Sequence, residues 1–117
     1  MFKSKIGAAK QKPLSRVWLE GKRLTEAGFH AGTMYHREYY NTGTYNRLIL
    51  WIDSGRDHST GSYKVSGKHN KPIIDITGKM IRDNFGKYAP HVHVYYDFGR
   101  ITIMRGDDSR DPYQDEL

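Results

Sequence analysis

The chain contains one unit twice, and neither copy is long enough to fold alone. The first copy reads Arg16-Val17-Trp18-Leu19-Glu20-Gly21-Lys22-Arg23-Leu24-Thr25-Glu26-Ala27-Gly28-Phe29, then a glycine-containing turn, an aromatic stretch and Leu48-Ile49-Leu50-Trp51-Ile52. The second reads Ile73-Ile74-Asp75-Ile76-Thr77-Gly78-Lys79-Met80-Ile81-Arg82-Asp83-Asn84-Phe85, then a turn around Pro90, an alternating stretch and Arg100-Ile101-Thr102-Ile103. The pairs Gly21-Lys22 and Gly78-Lys79 anchor the alignment. At about 40 residues, each copy falls in the size range where isolated domains need a metal, disulfides or a partner. A polypeptide carrying both is therefore expected to build a pseudo-symmetric pair, each copy covering the apolar face of the other.

Periodicity predicts a mainly β fold with short helices. Val17 and Leu19 alternate with Arg16, Trp18 and Glu20, the period of a strand within residues 14–20. Leu24 to Phe29 holds good helix formers and is stopped by Gly28 at a C-cap. Thr33 to Tyr40 places Met34, His36, Glu38 and Tyr40 on one strand face and Tyr35, Arg37 and Tyr39 on the other. Turn residues from Asn41 to Asn46 then join it to the apolar strand Leu48 to Ile52 as a hairpin. The second copy repeats the order: strand 73–77, helix 79–85, and a tight hairpin from His91 to Ile103 around Gly99. These copies, about 15–52 and 73–104, form a single domain over 14–104. Residues 1–13 read as a flexible basic arm, 53–72 as a linker with one short strand at 62–65, and 105–117 as a frayed acidic tail.

Composition narrows the chemistry. Cysteine is absent, which removes disulfides, thiolate nucleophiles and zinc–cysteine sites. The N-terminus is too polar for a signal peptide and no apolar run approaches a membrane span, so a cytoplasmic protein is expected. The 19 Lys and Arg exceed the 13 Asp and Glu, and the excess is concentrated at the start. Residues 1–23 carry seven cations against Glu20, whereas residues 105–117 carry two against five acids. A basic arm on a basic body is the electrostatic footprint of nucleic-acid binding, because each neutralised phosphate releases condensed counterion. The same excess also serves plain solubility.

The order strand, Gly-Lys, short Leu-x-x-Ala-Gly-Phe helix, glycine turn and hairpin resembles the SymE-like toxins and, more widely, the AbrB/MazE-type swapped-hairpin proteins. Leu19, Gly21, Lys22, Leu24, Glu26, Ala27, Gly28, Phe29 and Gly32 carry the resemblance in the first copy. Ile76, Gly78, Lys79, Ile81, Phe85, Gly99, Arg100, Ile101 and Ile103 carry it in the second. The resemblance implies a pseudo-dimeric swapped-hairpin β-barrel within one chain, binding DNA through strands and loops near its two-fold axis, as a transcriptional regulator or nucleoid-associated toxin. The second copy departs from the pattern at Asn84, Gly86 and Pro90, so the halves need not be equivalent.

The candidate nucleic-acid contacts are Lys10, Lys12, Arg16, Lys22, Arg23, Arg37, Arg47, Lys79, Arg82 and Arg100, with Lys22 and Lys79 at matching places in the two copies. The nine tyrosines could stack unpaired bases or simply fill strand positions. His91 and His93 share a strand face and, with His36 of the first copy, are the candidate acid–base groups of an alternative reading, an RNA-cleaving toxin. The same three could be considered as metal ligands, but no carboxylate or cysteine falls at a recognisable spacing, and neither metal nor cofactor is expected. A third reading is a protein-binding inhibitor or adaptor from a mobile element, using the tyrosine-rich sheet as its interface. Further homodimerisation is compatible with each of the three.

Overall fold

The alternation of Val17 and Leu19 with polar neighbours produces the strand it implies, with both apolar side chains buried and their neighbours from Arg16 to Glu20 exposed. In the computed structural model of the chain, residues 2–7, 14–41, 46–52, 61–87 and 89–108 are described. Along them run β1 (Phe2–Gly7), β2 (Arg16–Glu20), α1 (Lys22–Glu26), β3 (Met34–Asn41), β4 (Asn46–Trp51), β5 (Tyr63–Lys64) and β6 (Ser66–Lys68). They continue with β7 (Lys71–Thr77), α2 (Lys79–Ile81), a π-helical turn (Arg82–Gly86), β8 (His91–Asp97) and β9 (Arg100–Arg105). The protein is mainly β, with two antiparallel sheets ordered β1-β8-β9-β4-β3-β5 and β2-β7-β6. Leu48, Leu50, Ile101 and Ile103 from the larger sheet share a fully buried cluster with Val17, Leu19, Ile74 and Ile76 from the smaller, joined by Leu24, Phe29, Ile81 and Phe85. Among the described residues no helix is long and apolar enough to cross a membrane.

The strand registers of the two segments are related by a nearly constant offset in residue number. Trp18 stands opposite Asp75, its counterpart 57 residues on, at the centre of the β2–β7 ladder. Beyond the ends of that ladder, the Gly21 N–H donates to the Pro72 carbonyl at 3.0 Å and the Gly78 N–H to the Ser15 carbonyl at 3.1 Å. Each of these bonds is the other shifted by 57. The same shift carries the β3–β5 pairing onto β8–β1, matching Tyr35 and Tyr63 with Val92 and Ile6. In β4 and β9 the shift is 53, because the β8–β9 turn is shorter, and Ile49 stands opposite its counterpart Thr102.

Each hairpin meets the helix end of the other copy. The Gly99 N–H donates to the Ala27 carbonyl at 2.8 Å. At the matching place, the Asn46 side-chain amide donates to the Asn84 carbonyl at 2.8 Å. The two helices end differently, and the order of two residues explains it. In the first copy, Gly28 takes φ 88°. This lets the Phe29 N–H return to Leu24 at 2.8 Å and the Gly28 N–H to Thr25 at 3.0 Å, the pattern of a Schellman cap. In the second copy Phe85 occupies the place of Gly28, and the chain winds through the wider π-helical turn to Gly86. Both Phe29 and Phe85 remain fully buried.

Several expectations are corrected. Residues 2–7 are not a free arm: they pair with β8 along their whole length as an edge strand. Residues 8–13 of the expected arm, 53–60 of the expected linker and 109–117 of the expected tail lie outside the described residues. The rest of the linker holds β5, β6 and the start of β7 rather than one strand. The acidic tail does not begin at residue 105, which ends β9; the turn that follows buries Asp108. Among the described residues the two sheets do not close into a barrel, although residues 63–68 pass from the larger sheet to the smaller at Val65.

Candidate nucleic-acid interface

The β2–β7 ladder sets the two Gly-Lys turns at its opposite ends. Six residue steps separate the Gly21–Pro72 bond from the Gly78–Ser15 bond, about 20 Å at 3.4 Å per residue. Gly21 and Gly78 have φ of 83° and 109°, with ψ of −150° and −165°. That backbone region is essentially restricted to glycine, and it turns each strand directly into its helix. Lys22 and Arg23 are exposed at one end, and Lys79 and Arg82 at the other. Their acid neighbours are loosely held: Lys22 Nζ lies 3.8 Å from Glu26, and Arg82 Nε 3.8 Å from Asp83, in solvent-exposed pairs. Such pairs contribute little, so a phosphate can compete for both cations.

Between the turns the exposed face of the ladder is balanced. Arg16 donates two hydrogen bonds to Asp75, both 2.8 Å, and its guanidinium lies 4.7 Å from the Trp18 ring. This hydrogen-bonded pair holds the Asp75 carboxyl below its usual range. Lys71 Nζ lies 3.8 Å from Glu20 across the same ladder. The cations along the ladder are thus paired across it with acids of the facing strand, and those at its ends are exposed.

The remaining candidates are dispersed. Lys10 and Lys12 lie outside the described residues. Arg37 packs at the edge of the larger sheet, 3.8 Å over the Tyr63 ring and donating to the Tyr35 hydroxyl at 2.8 Å. Burial raises the Tyr35 phenol, opposed by that bond. Arg47 is 2 % exposed on β4, too buried to reach a phosphate. Arg100 opens β9, half-buried between Trp51 and Asp97 in the ladders.

The histidines do not converge. His36 on β3 stacks on Trp51 at 4.1 Å. His91 and His93 lie edge to face at 5.1 Å on β8, three strands away from β3, or about 14 Å at 4.8 Å per strand. His93 Nε2 is 3.0 Å from the Gly106 carbonyl, and burial, aided by the Lys3 charge, lowers its pKa from the usual 6.5. Among the described residues, no three His, Asp or Glu side chains are grouped to hold a metal ion.

A cleft of about 350 Å³ lies beside the first Gly-Lys turn. Ser4 and Ile6 of β1 and Tyr96 of β8 form one wall, and Trp18, Leu19 and Glu20 of β2 the other, with Lys22 and Arg23 at the helix start. Burial raises the Tyr96 phenol, against smaller opposing effects of the Ser4 hydroxyl and the Arg23 charge. Sequence reasoning missed this cleft. Its one legible sign is Trp18, a large aromatic on the polar side of an alternating strand and 38 % exposed. Compared with family models, with curated proteins and with solved structures, the chain matches none.

Proposed function

We propose that the protein binds nucleic acid, duplex DNA foremost, through the two Gly-Lys turns, and that it does so without catalysing a reaction. The chain is read as a pseudo-dimer with exchanged hairpins, of the kind its resemblance to SymE-like and AbrB-type proteins implies, and as a regulator or nucleoid-associated protein. The observation that carries the reading is the placement of Lys22 and Lys79 at matching positions, on turns about 20 Å apart, each with an arginine nearby, Arg23 on one side and Arg82 on the other. The major groove is about 12 Å wide and admits a β-ribbon, so long side chains at the two ends of the ladder reach the phosphates that flank it. The reading also favours contacts to the backbone over contacts to bases, since the ladder between the turns is occupied by its own ion pairs.

The test is a fluorescence anisotropy titration with duplex DNA, duplex RNA and single strands over a series of salt concentrations. Four phosphate contacts give a logarithmic salt slope near −3.6 on duplex DNA, at about −0.9 per contact. Absence of binding to every nucleic acid at low salt would exclude the function, and tighter binding of duplex RNA than of DNA would reassign the ligand.

A further inference from the structure

The two ends of the β2–β7 ladder are not equivalent, and the difference lies beside the turns rather than in them. The 57-residue shift maps the cleft onto a second place, between β5 and β7, in which Tyr63, Asp75 and Tyr39 stand where Ile6, Trp18 and Tyr96 stand in the first. There the chain supplies a planar cation of its own. The guanidinium of Arg37 lies 3.8 Å from the centroid of the Tyr63 ring and donates to the Tyr35 hydroxyl.

In the cleft, three replacements act together. Val94 stands in the place of Arg37, Trp18 in the place of Asp75, and Arg23 in the place of Met80. The cleft thus lacks a counterpart of Arg37, carries an indole, with the Arg16 guanidinium 4.7 Å from its ring, where the other place has a carboxylate, and gains a cation at its rim. Tyr96 keeps the aromatic that Tyr39 supplies in the other place, whereas Ile6 replaces Tyr63 and Glu20 replaces Thr77. The cleft's volume of about 350 Å³ is at the small end of ligand sites, about 300–1,000 Å³, which suits one nucleotide.

We propose that this cleft takes an unpaired nucleobase, packed against Trp18 and Tyr96, with the adjoining phosphate on Lys22 and Arg23. Glu20, loosely paired with Lys71 at 3.8 Å, offers a carboxylate to the polar edge of the base. The proposal rests on the nucleic-acid reading above and adds to it: a strand with an exposed base binds better than a fully paired one, and only one end of the ladder can accept it.

The experiment compares a fully paired duplex with the same duplex carrying a single-base bulge, by anisotropy, and adds a free mononucleotide by calorimetry. The bulged duplex is expected to bind about fivefold tighter or more, the lower range for stacking one base on an aromatic side chain. Trp18→Ala should bring the ratio of the two affinities to about one, while Trp18→Phe keeps it above one. Thermal melts of both variants check that they fold. If the paired duplex binds and the bulge brings no gain, the cleft proposal is overturned while the nucleic-acid reading stands. If neither duplex binds, that reading falls and the proposal with it. If the bulge brings no gain but a free mononucleotide saturates the wild type and not Trp18→Ala, the strand-bound form is overturned in favour of a free nucleotide.

Discussion

Gly21 and Gly78 are the residues on which the arrangement of the turns depends. A Cβ at either one would meet nothing within 4 Å, so substitution costs backbone strain alone. Gly21→Ala and Gly78→Ala should each lower stability by about 1–3 kcal/mol in denaturant titrations, the range for forcing a side chain into this region. A loss at one and none at the other would show that the two turns do not do the same work. The Gly-Lys pairs were legible as a repeat in the sequence, and their positive φ explains why glycine recurs there. His93 gives a second test at this scale. Its folded-state pKa is depressed, so the unfolded chain binds more protons as pH falls through about 6.5, and stability must drop with it. The melting temperature of the wild type should fall more between about pH 7.5 and about pH 5.5 than that of His93→Gln; equal falls would show that the half-buried imidazole is not the cause.

Hairpins and short helices were readable because their signals are local: alternation in β2 and β8, a glycine cap at Gly28, a glycine turn at Gly99. β1 and β6 were not, and β5 was readable only as a short extra strand at 62–65 without its partner. In Lys3-Ser4-Lys5-Ile6 only Ser4 and Ile6 are partly shielded, and the segment is a strand because β8 offers it an open edge. Tyr63-Lys64 is placed by β3 in the same way. Pairing between distant segments, rather than their own composition, sets these elements. Asn84 shows the same dependence at a helix end. Its side chain accepts from Asn41 at 2.6 Å and donates to the Met80 carbonyl at 2.8 Å, and its own carbonyl receives Asn46. Asn84→Ala removes both side-chain bonds at a buried site and should cost about 1–3 kcal/mol. A neutral outcome would mean that the two side-chain bonds of Asn84 do not hold the β3–β4 hairpin to the helix end.

For the molecule as a whole, the registers relate nearly every described strand of one half to one of the other, and the departures fall at the helix end and in the cleft. The likeness of residues 15–52 to 73–104 was readable in the sequence, whereas the matching registers of β1 and β5 were not, because Ile6-Gly7 and Tyr63-Lys64 share no residue type. The candidate site was legible only at its paired lysines. Arg47 and Arg37 read as surface cations, yet one is buried and the other is spent on tyrosines. The most direct measurement is the salt dependence of duplex DNA binding by the wild type, Lys22→Ala, Lys79→Ala and the double variant. Each single variant should flatten the logarithmic slope by about 0.9 and the double by about 1.8. Slopes unchanged in all three variants would contradict an interface built on the two matched turns.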